Sequence, residues 1–340
     1  MKKFFCLLLV IALMVSVVGC GGQSAQKQPQ TPPAEEIQKI KVSVATAFAE
    51  NHIMSDVAKK FKEIAEAKSN GNVKVDLFLA GSMGNEEDIM KAVTAGAVEG
   101  QTGGGIPVNA YAPPFYFIDT PFVMKDWNHI LAIWNGELGA KMRASVEAAG
   151  NTTLAAPVYR GLRHFTSKKP VVTPEDLKGI KLRLPVLPTW VAVWTEVGAS
   201  TIPIPLGELY TALATGVADA SEGDLTQIHG FKLNEVQSHL SLTGHLVSLG
   251  LISFNTKWLN GLNEKTRNLV LEAAREAADW GSKQMAAKEE QVIKDLEKLG
   301  MKVVQSDREA FLNKGMPAIE KLFNTQFRVT TLKEVQSYAK

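Results

Sequence analysis

Arg183 is the residue of this sequence best suited to bind a small anion. It lies at the end of an apolar strand pattern that runs from Ile180 to Leu184 and is followed by Pro185. We therefore expect its charge to emerge at the edge of a sheet, where ligands of open α/β folds bind. A guanidinium offers a rigid fork of N–H donors that matches the two oxygens of a carboxylate, and lysine cannot reproduce it. The alternative is a salt bridge to a neighbouring strand.

A group of polar residues follows the first predicted strand at its carboxyl end. Glu50, Asn51 and His52 are consecutive there. Small-molecule sites use a few convergent polar groups, so we expect one ligand contact from this trio. His52 could instead cap the helix that follows.

Two tryptophans could contribute to a cleft. Trp190 and Trp194 are four residues apart after Pro188, so they share one face if the segment is helical. Packing in the core is the simpler interpretation of both. The alternative is that one of them forms a wall of the cleft and stacks on a flat ligand.

The motifs of common enzymes are missing from the sequence. Its six histidines are scattered, and neither H-E-x-x-H nor G-x-S-x-G occurs. The glycine-rich run from Gly100 to Gly105 lacks the Gly-Lys-Ser/Thr ending of a phosphate loop, and no helical pattern follows it. We interpret this run as a strand end where the backbone approaches a ligand closely. No catalytic residue, metal or cofactor is expected.

The elements that must position these residues alternate between strand and helix. Strand patterns at residues 40–44, 73–79 and 98–102 are separated by helical patterns that contain residues 57–64 and 89–93. The acidic run Glu86-Glu87-Asp88 is interpreted as the first turn of the second helix. This alternation predicts an α/β fold with a parallel sheet. Thr173 and Pro174 then begin a short helix before the strand at Ile180, which predicts a second α/β lobe.

A long helical pattern follows near the C-terminus. It begins at Asn263 and runs for roughly 35 residues to Gly300, long enough to reach about 50 Å and to brace two lobes. The alternative is a break near Gly281. After it, Ser306 and Glu309 have the spacing of a capping box for a last helix.

The first twenty residues have the pattern of an export signal. Lys2 and Lys3 precede an apolar run that ends in Val-Val-Gly before Cys20, and the run is too short for a membrane-spanning helix. We expect removal of residues 1–19 and lipidation of Cys20, since two or three acyl chains anchor stably. Residues 20–37 have the composition of a flexible tether. A plain signal peptide with an incidental cysteine is the alternative.

The composition of the mature chain excludes several functions. Cys6 would be removed and Cys20 lipidated, so no thiol remains for a disulfide, a metal cluster or a nucleophile. Of 37 basic and 35 acidic residues, the signal contains only Lys2 and Lys3, which leaves a net charge of zero. Nothing in this balance indicates nucleic acid as a partner. About 300 remaining residues exceed what one core usually supports, which favours two lobes with a cleft between them.

Several motifs in order resemble one family of transport proteins. They are Ala80-Gly81-Ser82-Met83-Gly84, Thr120-Pro121-Phe122, Gly161-Leu162-Arg163, Pro174 to Arg183, Val197-Gly198-Ala199 and Glu208 to Asp219. Together with the early His52, this pattern resembles the DctP-type solute-binding subunits of TRAP (tripartite ATP-independent periplasmic) transporters. The resemblance covers essentially the whole body of the chain. It implies a two-lobed α/β receptor outside the cytoplasm that closes on an organic anion and delivers it to a sodium-gradient-driven permease, with no reaction of its own.

The resemblance also implies roles for individual residues. Arg183 falls where the family pairs an arginine with the ligand carboxylate, and Arg163 falls at a second arginine that many members use on the ligand. Arg163 could instead be a surface arginine. Phe115 and Tyr116 lie in a region that borders the pocket in the family, and either is expected to line it.

The substrate class is put in doubt by one departure from the family pattern. Gly223 replaces an asparagine that contacts the ligand in many members that bind sugar acids. Glu222 and Asp224 flank it, and either could accept hydrogen bonds from ligand hydroxyls or pair with an amine. Leu206 replaces a phenylalanine of the sialic acid branch, so that sugar is not expected.

The remaining expectations concern the whole chain. One lobe is expected to contain residues 38–158 and about 248–280, and the other residues 159–247 and about 281–330. A monomer is expected, and pairing through the tail would give a dimer. The alternatives to TRAP transport are a binding lipoprotein of an ATP-driven importer and a sensor that presents its ligand to a receptor.

Overall fold

One mixed β-sheet organises residues 36–339, the part of the chain that this computed structural model describes. The predicted signal segment, Cys20 and most of the predicted tether lie outside the described residues. The strands are β1 (Ile40–Ala45), β2 (Val73–Phe78), β3 (Gly100–Gly103), β4 (Thr152–Ser167), β5 (Lys181–Leu184), β6 (Ser200–Pro203), β7 (Ala220–Asp224), β8 (His239–Asn255) and β9 (Lys302–Gln305).

Twelve α-helices surround the strands of the described chain. They are α1 (Ile53–Lys68), α2 (Glu86–Ala95), α3 (Ile106–Tyr111), α4 (Trp127–Asn135), α5 (Glu137–Gly150), α6 (Pro188–Val197), α7 (Leu209–Ala214), α8 (Leu225–Gly230), α9 (Thr256–Asn260), α10 (Glu264–Lys298), α11 (Arg308–Thr325) and α12 (Leu332–Ser337). Short 3-10 turns lie at Pro113–Asp119, Pro174–Leu177, Leu206–Glu208 and Leu233–Glu235.

The two ends of the sheet have the predicted parallel pairing. The strand order is β2-β1-β3-β8-β4-β7-β5-β6, with β9 beside β8. β1 is parallel to β2 and to β3, and β5 is parallel to β6 and to β7. Of these strands, β1, β2, β3 and β5 follow from the local sequence pattern, and β6 and β7 were not predicted. Crossover helices join parallel neighbours.

The centre of the sheet differs from the prediction. β4 and β8 contain 16 and 17 residues, pair antiparallel with each other, and join the two parallel groups through antiparallel contacts with β7 and β3. Their register shifts between Tyr159 and Leu162, where Gly161 has φ +93°. The sheet is therefore mixed, and two long strands cross from one parallel group to the other.

The long C-terminal helix is confirmed. α10 contains 35 residues without a break, and the Asn263 side chain caps it by accepting the Thr266 N–H. Gly281 does not interrupt the helix. It lies against Val57 of α1, so a glycine is used there because the two helices approach closely.

Two predictions of local structure are wrong. A short helix, α3, does follow the glycine-rich run, with Gly105 preceding it and Pro107 in its first turn. Six residues are too few to leave a recognisable helical period. At α11 the cap is Asp307, which accepts the Ala310 N–H, while the Ser306 hydroxyl donates to the Val171 carbonyl instead.

The apolar core consists mainly of two large clusters. One surrounds α6 and α11 and contains Trp194 and Phe311, and the other lies between the sheet, α1 and α10 and contains Phe61 and Phe254. In residues 36–339 there is no helix with the length and apolar character needed to cross a membrane.

Candidate ligand-binding site

A narrow cavity lies where the end of β5 meets the turn after β3 and the start of α6. Its empty volume is about 410 Å³. Its polar and charged lining residues are Glu86, Tyr116, Asp119, Arg160, Arg163, Arg183, Trp190, Gln227 and Ser248. Its other walls are Gly104, Gly105, Ile106, Pro185, Leu187 and Leu206. Four residues singled out from the sequence, namely Arg163, Arg183, Tyr116 and Trp190, therefore meet in one place.

Arg183 is buried without a counter-ion among residues 36–339. β5 carries it into the cavity wall, where it is 1% exposed and its Nε donates to the Ile204 carbonyl at 2.9 Å. Its Nη2 has no hydrogen-bond partner in the part of the chain that the structure describes. Burial lowers the pKa of Arg183 to about 10, although the negative charge of Glu222 opposes that effect. The group stays charged at neutral pH and has an unused donor at the cavity.

Arg163 is paired with Glu222. Its Nε donates to Glu222 Oε2 at 2.5 Å and its Nη2 donates to Oε1 at 2.8 Å, in the bidentate geometry that favours arginine. The guanidinium also lies 5.0 Å from the ring centre of Trp190. Burial raises the pKa of Glu222, but Arg163 and His245 outweigh burial and bring it to about 2. Arg163 therefore borders the cavity with its charge already neutralised.

Arg160 is paired in the same way with Asp224. Its Nη2 donates to Asp224 Oδ2 at 2.8 Å, and its guanidinium lies 4.4 Å from the ring centre of Phe48. Asp224 also caps α8 by accepting the Gln227 N–H at 2.9 Å. Burial opposes ionisation of Asp224, yet the positive charges of Arg160 and Arg163 hold its pKa well below the usual range. The carboxylates of Glu222 and Asp224 are therefore both engaged by arginines and are not available to pair with a ligand amine.

The histidines around these pairs are neutral. His52 Nδ1 accepts the Met54 N–H at 3.0 Å, so this histidine caps α1 and carries its proton on Nε2. That Nε2 lies 3.2 Å from Asp224 Oδ1, without the alignment of a hydrogen bond. Burial lowers the pKa of His52 and of His245, and lowers that of His164 to about 3.

Asp119 is a cavity residue that the sequence analysis does not select. It ends the 3-10 turn Pro113–Asp119, is 4% exposed and lines the cavity. Tyr116 donates its hydroxyl to Asp119 Oδ2 at 3.1 Å, and the Leu249 N–H donates to Oδ1 at 3.4 Å. Burial raises the pKa of Asp119 to about 7, against the opposing charges of Arg160 and Arg163. Its position in a proline-rich loop leaves no local pattern that would reveal it.

Glu86 has two roles, of which the sequence indicated one. It lies in the first turn of α2 as predicted, and it also lines the cavity, where its Oε1 accepts the Gly104 N–H at 2.8 Å. Gly104 and Gly105 bring the backbone to the cavity, in agreement with the interpretation of that run. A Cβ on Gly105 would lie 2.5 Å from Asp119 Oδ2, so only glycine fits there.

The other candidate residues lie outside the cavity wall. Asn51 is exposed, with its Nδ2 3.5 Å from His229 Nδ1, and Phe115 is packed in the core. Gly223 lies in β7, where a Cβ would meet the Gln227 side chain at 2.8 Å. Glu222 and Asp224 lie behind the wall, where they pair with Arg163 and Arg160, and His52 lies next to Asp224.

A larger groove lies elsewhere on the molecule. It has an empty volume of about 1570 Å³ and is lined by α4, β4 and α10, including Trp127, Tyr159 and Glu289. Arg275, Asp279 and Lys283 of this groove are solvent-facing, whereas Arg183 is fully buried and unpaired. The narrow cavity is therefore the better site for a charged ligand. Across residues 36–339 no group of three or more His, Cys, Asp or Glu side chains is arranged to hold a metal ion.

Comparison with known proteins assigns the family. Residues 44–326 match the DctP family, described as "Bacterial extracellular solute-binding protein, family 7". The 2,3-diketo-L-gulonate-binding periplasmic protein YiaO of Escherichia coli is 32% identical over 256 residues, which cover 75% of this chain and 78% of that protein.

Solved structures agree with this match. A TRAP periplasmic solute-binding protein from Roseobacter denitrificans with bound L-galactonate has a TM-score of 0.82 and 26% identity, covering 90% of this chain and 100% of that one. The sugar acid binding protein DctPAm from Advenella mimigardefordensis, in complex with galactonate, has a TM-score of 0.84 and 25% identity, covering 89% and 99%. This fold is the predicted two-lobed α/β architecture with a long C-terminal helix. The chain belongs to the DctP family and is a solute-binding protein of the TRAP transporter type.

Proposed function

We propose that this protein captures a small organic acid outside the cytoplasm and delivers it to a sodium-gradient-driven TRAP permease. One observation carries the proposal: Arg183 is buried at a cavity with a charged guanidinium, an unused Nη2 donor and no counter-ion among the described residues. A buried charge without a partner is costly, and a ligand carboxylate would relieve that cost.

We further infer that the ligand is a sugar acid or a related hydroxy acid. Gln227 and Ser248 add neutral polar groups to the cavity, and such groups suit hydroxyls. A relative is named for 2,3-diketo-L-gulonate and a similar structure contains L-galactonate. Because Glu222 and Asp224 are paired with arginines, Glu86 and Asp119 are better placed to contact ligand hydroxyls.

The cellular arrangement is part of the proposal. Lipidation at Cys20 after removal of residues 1–19 would anchor the protein to a membrane, and residues 20–37 would let the body reach the permease. The lobe limits proposed above place the cavity between two bodies that share α10. A monomer suffices for this role.

Ligand screening tests the proposal directly. The full-length protein is screened by thermal unfolding against sugar acids, dicarboxylates, keto acids, neutral sugars and amines, and the best binder is measured by calorimetry. We expect stabilisation by one family of carboxylates, because a ligand that binds only the folded state raises the unfolding temperature.

Arg183→Ala is the decisive variant. Loss of one partner of a buried ion pair costs about 3 to 5 kcal/mol, so the affinity should fall by at least a hundredfold. Arg183→Lys, which keeps the charge without the fork, should also bind more weakly than the wild type. Exposed Arg275→Ala is the control and should bind normally. Retention of the wild-type affinity by Arg183→Ala, or stabilisation only by neutral sugars or amines, would overturn the carboxylate assignment.

A further inference from the structure

The charged side chains around the cavity differ in whether they form ion pairs. Two of its three arginines are neutralised by direct ion pairs, Arg163 with Glu222 and Arg160 with Asp224. Arg183 has no such partner in residues 36–339. On the acidic side, Asp119 forms no ion pair within the same residues, although it lines the same cavity.

Asp119 is held firmly at this position. Its backbone carbonyl accepts the Trp190 Nε1–H from α6 at 2.6 Å, and its carboxyl group accepts one hydrogen bond from Tyr116 and one from the backbone of β8. The turn at Gly105 approaches its Oδ2 closely. The carboxyl group therefore cannot swing away to solvent when a ligand binds.

The titratable groups that face Asp119 are few. Arg160 and Arg163 of β4 act on it through their charge, and Tyr116 of its own 3-10 turn donates to it. Glu86 of α2 lines the same cavity, and Arg183 of β5 completes the charged wall. Within the described residues, the neighbouring parts of α6, α3 and β8 contribute the Trp190 indole, the Gly105 backbone and the Leu249 amide, none of which titrates.

An acid anion bound on Arg183 would bring a second negative charge into this space. Two carboxylates that share a buried site cannot both ionise at low cost, and one of them takes a proton. Asp119 is the better candidate, because the carboxylate of the ligand gains the charge of Arg183. The neutral carboxyl group of Asp119 can then donate its O–H to an oxygen of the acid.

We propose that Asp119 is a ligand-binding residue that acts in its neutral form, and that above neutral pH the receptor takes up about one proton from solvent with each acid anion it binds. This inference rests on the proposed function, since it needs an anionic ligand at Arg183. It is supported by the effect of burial on Asp119, whose pKa is already about 7 before any anion is added. It favours hydroxy and keto monocarboxylates over dicarboxylates, since the cavity then offers one cation and one neutral donor.

The test is the pH dependence of affinity. The dissociation constant is measured by calorimetry from pH 5.5 to 8.5 for L-galactonate, D-glucuronate, D-erythronate and pantoate, acids named in solved structures of similar fold. We expect near-constant affinity below pH 7 and a weakening that approaches tenfold per pH unit above it. At pH 8, titrations in phosphate and in Tris buffer should differ by the heat of taking up about one proton per ligand.

The lowered pKa values of His52, His164 and His245 keep these histidines neutral above pH 7, where the weakening is expected, and Arg183, with a pKa of about 10, stays charged there. In Asp119→Asn the amide remains a donor that cannot ionise, so the affinity should be nearly independent of pH. Tyr116→Phe removes a donor that favours the ionised carboxylate, so the weakening should begin at higher pH. Exposed Asp279→Asn is the control and should follow the wild type.

A second measurement needs no ligand. Burial raises the pKa of Asp119 from 3.8 in the unfolded protein to about 7 in the folded protein. Between these two pH values the folded protein holds a proton that the unfolded protein has lost. The contribution of Asp119 to the free energy of unfolding therefore falls as the pH rises from about 4 to 7. The unfolding temperature of the wild type should therefore decline relative to Asp119→Asn over this interval. A constant difference would overturn the proposal.

The outcomes separate the two proposals. If no acid stabilises the protein at any pH, the proposed function fails. If an acid binds but its affinity is constant up to pH 8.5, or tightens as the pH rises, the function stands and the proton uptake by Asp119 is rejected.

Discussion

Single residues in the cavity wall are arranged so that one cation, Arg183, has no ion-pair partner within the described chain. Arg163 and Arg160 are held by Glu222 and Asp224, which also removes the two carboxylates that would otherwise compete for Arg183. A buried ion pair is weak support for stability by itself, but removal of one partner is costly. The pairs therefore fix the shape and the charge of the wall.

Glu222→Gln tests the role of this pairing. The variant leaves the Arg163 guanidinium buried beside a neutral amide, so we expect the free energy of unfolding at pH 7 to fall by about 3 to 5 kcal/mol. In the wild type, the pKa of Glu222 is about 2 in the folded state and near 4.5 when unfolded, so its contribution is present above pH 4.5 and is lost as the pH falls toward 2. The difference between wild type and variant should therefore narrow between pH 4.5 and pH 3.

Urea unfolding at pH 7, 4.5 and 3 measures this effect. Glu63→Gln removes an exposed carboxylate that pairs with Lys60 at 2.7 Å, and it should stay within about 0.5 kcal/mol of the wild type at pH 7. A Glu222→Gln variant as stable as this control would mean that Arg163 finds another partner and that the wall is not fixed by the pair.

At the scale of elements, the contact between α1 and α10 explains why α10 contains a glycine, Gly281, in its interior. A Cβ on Gly281 would overlap Val57 Cγ2. Alanine is favoured over glycine by about 1 kcal/mol inside a helix, yet overpacking a core contact costs about 1 to 3 kcal/mol. We expect Gly281→Ala to lower the free energy of unfolding.

A double-mutant cycle isolates that contact. In a Val57→Ala background the overlapping methyl group is gone, so Gly281→Ala should cost less there than in the wild type, or should stabilise the protein. Gly207→Ala is the control, because no atom lies within 4 Å of its Cβ position and its φ is not positive. If Gly281→Ala lowers the free energy of unfolding equally in both backgrounds, the overlap with Val57 is not the cause of the loss.

The elements also explain which parts of the fold could be predicted. The strands β1, β2, β3 and β5 and the helix α10 have local periodicity and caps, so the sequence alone predicts them. β4 and β8 are longer than ordinary strands, and their pairing joins residues about 90 positions apart, such as Tyr159 with Leu249. Such contacts leave no local period, and the antiparallel centre of the sheet was therefore missed.

The site divides in the same way. Arg183 and Trp190 lie on elements with clear sequence patterns, and both line the cavity. Asp119 and Arg160 lie in a loop and within an unrecognised strand, so nothing in their neighbours indicates the cavity. The sequence pattern places Glu86 in the first turn of a helix. Its second role, as a residue of the cavity wall, depends on the tertiary contact with Gly104.

At the scale of the whole molecule, the burial of the site requires movement. Arg183 is 1% exposed and Asp119 is 4% exposed, and Ile106, Pro185 and Leu206 line both the cavity and the adjoining pocket that we take as its mouth. We expect the molecule to open to accept a ligand and to close over it, and the ligand favours the closed state only by its greater affinity for that state.

Two engineered cysteines can report this movement. Glu87 of α2 and Val186 after β5 both line the mouth, on opposite groups of the sheet, and both are accessible. Glu87→Cys and Val186→Cys are combined in a Cys6→Ser, Cys20→Ser background, which has no other thiol. After labelling with a donor and an acceptor dye, we expect a saturating acid to raise the efficiency of energy transfer. The reason is that closure brings the two sides of the mouth together.

The same pair can also trap the closed state. A short bis-maleimide that joins the two cysteines in the presence of the acid should slow its release at least tenfold, and cross-linking before the acid is added should block binding, because the cavity is covered. Arg183→Ala in the labelled protein is the control and should show no response to the acid at the same concentration. If the transfer efficiency of the otherwise wild-type protein stays constant while calorimetry shows binding, the mouth does not close on the ligand. Access would then have to be through the side of the cavity near Gln227 and Ser248.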